Sequence, residues 1–477
     1  LAKERAQLKQ SLGRVEVFAL TFGTMIGWGF VSLPVMWIGS GGVLGAILSL
    51  LIAMTLCLFV GQIYAELTSA FPLAGAEVAF TYRSMGVLGS WFTGWMVCLA
   101  YIGIASFEGI ALTMALNYLF PIPEWGYLGT IIGFDIYFSW IIIGLCGAVI
   151  LTVLNIRGIR QVAVFQILLL LVMIFSGIVY FLGAFAFGEF SHNEPVITNI
   201  KGVEVVLIMT PTMFIGFDMV AKSAEEMNMP LRNVSKVLIL SIFMAGGWYM
   251  IMTLATYLLL PSVTGVSDEI SITADLAGVA FQSTVIMKMI IIGGIIGIIT
   301  TWNGFIVGAS RIIFAMSRAR MLPAVFSIVH PKYKTPVSAI LFVGLFCCIS
   351  PFLGPDAFSP LLNIVAFGTV ISYLMVSISF LLLRKKEPDL RKEYKVKNGR
   401  LTGIIALAGG VFFLFWYTPL SPIELNWVYE WVLISVWLII GTVFFLVFRI
   451  SEIKNKVSAS ERETLIFSDE LAREISK

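Results

Sequence analysis

The chain has 477 residues, of which 59% are hydrophobic and only 12% charged. Its mean hydropathy is +0.96. That balance excludes a soluble globular domain and points to a polytopic membrane protein. The formal net charge of +3 excludes little by its size and informs only through its distribution.

A span of about 20 apolar residues crosses a bilayer. Twelve such spans are expected, at 15–38, 42–70, 87–119, 137–155, 160–186, 203–225, 235–260, 282–317, 337–353, 359–384, 401–419 and 428–449. The polar stretch 1–14 leads straight into the first span and reads as a tail, not a cleavable signal. All but Lys201 and Lys288 of the 31 lysines and arginines fall on one side of this arrangement. The positive side faces the cytoplasm, so both termini are expected there, in agreement with an even number of spans.

The first span has an unusual centre. Thr24-Met25-Ile26-Gly27-Trp28-Gly29-Phe30 places two glycines inside an apolar run. Interior glycine costs a helix roughly 1 kcal/mol against alanine. In lipid an opened backbone needs partners. A break at membrane depth is tolerated where it lines a cavity and offers its freed N–H and C=O groups to a ligand. Span 3 carries Glu108 close to Ala105, and a carboxylate at that depth is a functional candidate. It would pair with a substrate cation, carry a proton, or serve as a hydrogen-bonded structural residue.

Span 6 repeats the pattern of span 1 with Pro211, Phe214, Ile215, Gly216, Phe217 and Asp218. Two interrupted spans at corresponding places point to an inverted-repeat transporter; glycines as helix-packing notches are the alternative. The repeats would be 15–188 and 198–386, followed by 401–450 and a charged tail, 451–477, able to form a short surface helix. Asp218, Lys222 and Glu226 are spaced four apart and can pair on one helix face, as a gate or a proton-linked site. A solvated helix end would account equally for Glu225 and Glu226. Glu66 and Glu77 fall at the end of span 2 and in the loop after it. Thr300, Thr301 and Trp302 in span 8 are candidates to line the ion or substrate path. Two hydroxyls fall well short of the oxygens a sodium ion needs, and helical threonine often bonds back to its own backbone.

The five cysteines lie in apolar spans and read as small buried hydrophobes. His192 and His330 are far apart, so no structural metal is expected. HExxH, GxSxG and phosphate-loop patterns are absent from the sequence, which argues against an enzyme or an ATP-driven pump.

With these residues in view, the chain resembles the amino acid–polyamine–organocation (APC) superfamily of permeases. The resemblance rests on the glycine-rich break of span 1 and on Gly216-Phe217-Asp218 followed by Ala224-Glu225-Glu226-Met227-Asn228-Met229-Pro230-Leu231-Arg232-Asn233. It rests also on Asn155-Ile156-Arg157-Gly158, Ala309-Ser310-Arg311, Phe314-Ala315-Met316-Ser317-Arg318 and Arg384-Lys385-Lys386-Glu387-Pro388. It covers roughly residues 12–400. It implies an all-α LeuT-type fold of two inverted five-helix repeats plus two helices. It also implies alternating access and a substrate held at Met25–Phe30 and Phe214–Phe217. Trp28 stands where the family has a small residue. Some proton-coupled relatives carry a lysine in span 5; its place falls near Val172–Met173, where this chain has none. The expected substrate is an amino acid, with a cationic amine or polyamine as the alternative. No cofactor is expected; a coupled proton, a coupled sodium ion and uncoupled exchange of two solutes all fit the sequence. The expected setting is the plasma (inner) membrane, as monomer or homodimer, with no nucleic-acid partner.

Overall fold

The computed structural model describes residues 8–131, 134–189, 196–260, 272–354, 357–418, 430–454 and 459–467. The tail charges Lys3, Arg5, Lys456, Arg473 and Lys477 and the loop residue His192 lie outside the described residues.

Helix α1 (Arg14–Met25) stops where Ile26 turns extended, and α2 (Gly29–Ser32) restarts after Trp28. Leu33 keeps helical angles into α3 (Pro34–Ala70). Inside α3 the backbone is non-helical at Gly42, and inside α4 (Ala76–Leu119) at Gly86. A short antiparallel hairpin, β1 (Tyr127–Ile131) and β2 (Phe134–Tyr137), leads to α5 (Phe138–Arg157) and α6 (Ile159–Phe187). Then α7 (Ile200–Met209) gives way to a 3-10 turn, Thr210–Phe214, before α8 (Met219–Lys222) and α9 (Val234–Leu259). Next come α10 (Ile272–Ala280), α11 (Thr284–Arg318), α12 (Val337–Ile349) and α13 (Phe358–Lys386). The last are α14 (Gly399–Phe415), α15 (Glu430–Lys454) and α16 (Ala459–Phe467).

These segments are helical because lipid leaves a backbone no other way to satisfy its polar groups. Nine described helical stretches are long and apolar enough to cross a membrane; Val337–Leu353 and Gly399–Phe415 are shorter apolar helices. The N-termini of α7 and α11 are capped by the side chains of Asn199 and Ser283. Helix α4 is the axis of the bundle: 94% of its most apolar window is buried, against 11% for α15 at the margin. It packs on α11 and α13, while α3 packs on α9 and α7.

Charge gathers at the end of the bundle where α3 finishes and α4 begins. Arg384 and Lys392 hold Glu66 there, and Arg83 holds Glu387. Arg311 grips Glu226 with two hydrogen bonds of 2.9 Å, and Arg318 meets Glu225 at 2.9 Å. The N-terminal stretch is knitted to the same place. Ser11 and Leu12 donate to the Glu226 carbonyl, and Asn228 donates back to the Leu12 carbonyl. Helix α16 docks by Phe467, whose ring lies 5.6 Å from Phe71 and 5.9 Å from Tyr82.

Four sequence expectations are corrected. Glu77 is not a loop residue: it sits in the first turn of α4, fully enclosed. Glu225 and Glu226 are buried partners of arginines, not a solvated helix end. Lys222 bonds Glu77 and Asp218, because the helix ends at Lys222 and the 3-10 turn after it aims Glu226 at α11. Cys146 is exposed on the outer face of α5, so the small-buried-hydrophobe reading fails for it.

Candidate functional site

The two interruptions lie against each other. A Cβ on Gly216 would approach the Thr24 side chain to 2.7 Å, and one on Gly29 would reach Met213 at 3.0 Å. Gly216 has φ +114°, a conformation that a side chain would strain, and this residue turns the chain from the 3-10 segment into α8. Helix α11 closes the third side by presenting small residues. A Cβ on Gly297 would lie 2.7 Å from the Gly27 carbonyl oxygen.

Between them is a partly open hollow of about 100 Å³, smaller than the roughly 300–1,000 Å³ typical of small-molecule sites. Thr24, Met25, Gly27, Trp28 and Gly29 supply one wall, and Thr212, Met213 and Ile215 face them. Helix α4 contributes Ile104, Phe107, Glu108 and Ala111; α11 contributes Thr301 and Phe305. Tyr249 of α9 completes the base, its hydroxyl donating to the Met25 carbonyl at 3.0 Å.

Two kinds of polar group are unspent here. The N–H groups of Trp28, Gly29 and Phe30 find no acceptor among the described residues, since the first helical bond is Val31 N–H to the Trp28 carbonyl. They form the positive end of the half-helix that continues towards Gly41. Glu108 is 3% exposed, and its carboxylate makes no hydrogen bond or ion pair with a described residue. A donor end and a free carboxylate across one hollow are complementary to a solute bearing both charges.

Several candidates stand near the hollow without lining it. Ile26 is buried behind the break. Phe30 meets the Trp248 ring at 5.6 Å, and Phe214 is buried towards Gly246 of α9. Phe217 packs between Tyr64 and Tyr373 at 5.7 and 5.1 Å. Gly216 shapes the chain beside the hollow, and Ala105 of α4 does not line it. Thr300 lies off the hollow while Thr301 lines it, and both donate to the Gly297 carbonyl, at 2.9 and 2.8 Å. Trp302 points the other way, into α4, α5 and α12; its indole N–H reaches Cys347 at 3.4 Å and its ring sits where a Cβ on Gly147 would be, 2.8 Å away.

Asp218 and Lys222 form a cluster beneath the second break. Lys222 bonds Asp218 and, at 2.5 Å, Glu77, while Tyr101 donates to Asp218 at 2.5 Å. The sequence reading placed Glu77 in a loop and missed Tyr249, Met213 and Phe305. A hydroxyl inside the apolar span 7 was the available signal for Tyr249. Tyr249→Phe is expected to cost about 0.5–1.5 kcal/mol through the lost hydrogen bond, read as a small drop in thermal midpoint in detergent; a gain in stability would contradict the contact.

The described residues form a mainly helical, apolar bundle around an interior hollow, and the family the chain matches is one of permeases, not enzymes. The amino acid permease family profile matches residues 12–445. The chain belongs to that family, within the APC superfamily. It is similar to the Branched-chain amino acid permease BcaP of Bacillus subtilis (strain 168), 27% identical over 457 residues, covering 92% of this chain and 93% of the relative. It is also similar to the Methylthioribose transporter of the same organism, 24% identical over 465 residues, 94% and 95% of the two chains. With the vacuolar Cationic amino acid transporter 2 of Arabidopsis thaliana it shares 29% identity over 341 residues, 68% of this chain and 52% of the relative.

Proposed function

We propose that the chain is a secondary transporter that carries an amino acid across the membrane by alternating access, with the solute held at the two helix breaks. The observation that carries this reading is the pairing of unused N–H groups at Trp28–Phe30 with the free Glu108 carboxylate across one hollow. The N–H groups suit the substrate carboxylate. Glu108 suits its ammonium or a cationic side chain. Family membership and the named substrates of several relatives support the amino acid class. The twelve-span, five-plus-five inverted arrangement and cytoplasmic termini at the plasma membrane belong to the same proposal. A proton or a sodium ion is the proposed driver. The threonine hydroxyls of α11 donate to the Gly297 carbonyl and keep their oxygen lone pairs, so they fit either driver.

The test is uptake by proteoliposomes of a panel of labelled amino acids under imposed proton and sodium gradients. Saturable, gradient-driven uptake of at least one amino acid is expected; none in the panel would end the reading. A second reading, a cationic amine or polyamine, is favoured by Glu108 alone. Glu108→Gln is expected to weaken a cationic substrate by 10-fold or more, and to do the same to an amine-only competitor. An unchanged preference and unchanged pH profile would return Glu108 to a structural role.

A further inference from the structure

Beneath the second break, three charged side chains are enclosed together. Glu77 and Lys222 are 0% exposed and Asp218 is 3% exposed. Two carboxylates and one ammonium leave the cluster with one net negative charge. Enclosing an uncompensated charge is costly, so the cluster has to gain a positive charge or be opened to water.

The hydrogen bonds show where that charge goes. Lys222 binds Oε1 of Glu77 and Oδ2 of Asp218 and lies over the Tyr101 ring, 4.3 Å from its centre. Tyr101 donates to the other Asp218 oxygen, and Tyr64 donates to Oε1 of Glu77 at 3.0 Å. Every carboxylate oxygen is thereby occupied except one. Oε2 of Glu77 is buried and has no hydrogen-bond partner among the described residues. The remaining titratable groups around it are Cys57 and Tyr64 of α3, Cys98 and Tyr101 of α4, and Tyr373 of α13. These are neutral thiols and phenols. The nearby arginines of α11, Arg311 and Arg318, are engaged with Glu226 and Glu225.

From this geometry we infer that Glu77, with Lys222 and Asp218, is a proton-binding site, the proton being held on Oε2 of Glu77. The step is simple. A hydronium ion supplies the proton: one of its O–H bonds breaks, one O–H bond forms on Oε2, water leaves, and the carboxylate becomes a neutral acid. Lys222 and Asp218 are then left as a balanced ion pair. A sodium ion would need several oxygen ligands and room for them; the free acceptor here is a single oxygen. The same three side chains tie α8 to α4 directly after the second break. Proton occupancy therefore changes what holds α8, and with it the wall of the hollow. This rests on the transport reading for its purpose, and on the side-chain geometry alone for its existence.

Two measurements keep those apart. Infrared difference spectra of the purified, full-length protein, recorded between alkaline and acidic buffer, are expected to show a carboxylic C=O band that Glu77→Gln removes and Glu108→Gln leaves in place. Glu77→Gln with Lys222→Met, which removes the pair together, serves if the single variant fails to fold, and must also lack the band. A spectrum that keeps the band in both Glu77 variants, or never shows it, overturns the site whether or not the protein transports anything. In proteoliposomes the ratio of uptake with an imposed proton gradient to uptake without one is expected to fall from several-fold to about one in Glu77→Gln. A ratio that stays at the wild-type value overturns the coupling role. A wild-type protein that takes up no amino acid, yet shows the Glu77 band, would sink the transport reading and leave the proton site standing.

Discussion

Leucine at position 27 is expected to abolish uptake while the protein still reaches the membrane. A Cβ at Gly27 would stand 2.9 Å from the Thr301 hydroxyl, and the glycine of α11 that faces it, Gly297, is already in contact with the Gly27 carbonyl. There is no room for a branched side chain on that side. Extra carbons forced into a packed site cost about 1–3 kcal/mol, and replacing an interior glycine stiffens the chain by roughly 1 kcal/mol towards helix. Both effects act on the break itself, and the leucine that escapes the clash does so by entering the hollow. Transport is expected to fall at least 100-fold at near-normal abundance in the membrane. Wild-type uptake in that variant would mean that the solute passes elsewhere.

The second large effect is on stability. Lys222→Ala leaves Glu77 and Asp218 enclosed, 0% and 3% exposed, with their shared counter-charge gone. Removing one member of a buried ion cluster typically costs about 3–5 kcal/mol. The expected result is a protein that aggregates well below the wild-type temperature in detergent. Adding Glu77→Gln and Asp218→Asn to Lys222→Ala is expected to recover most of the loss, because the two orphaned charges are then removed too. A single variant as stable as wild type would mean that water reaches this cluster.

The placement of the helices was legible because it follows from local quantities. About twenty apolar residues are needed to cross lipid, and glycine or proline inside such a run has few meanings. The kinks at Gly42 and Gly86 fall at the expected start of the second and third spans. Which side chains face the hollow was less legible, for a geometric reason. Ile104, Phe107, Glu108 and Ala111 follow the i, i+3, i+4, i+7 stripe of one helix face. Ala105 is three residues before Glu108 and shares that face by periodicity, so spacing alone could not separate it from the lining residues. On α11 the same logic pairs Thr301 with Phe305 and turns Thr300 and Trp302 aside. The polar pairings were the least legible. Four-residue spacing correctly joined Asp218 to Lys222, but the lysine's other partner is 145 positions away. Glu226 answers to Arg311, 85 positions away. A sequence read locally has no means of choosing between a neighbour four residues on and a stranger brought close by folding.

The short bridge from Ser11 and Leu12 to Glu226 and Asn228 carries a mechanical consequence. It clasps the lower end of α1 to the stretch that follows α8, so the two interrupted segments share a joint as well as a cavity wall. Any tilt of α1 pulls on the other segment through three backbone bonds. Removing the chain through Leu12 would take away all three bonds and leave each segment without this tie.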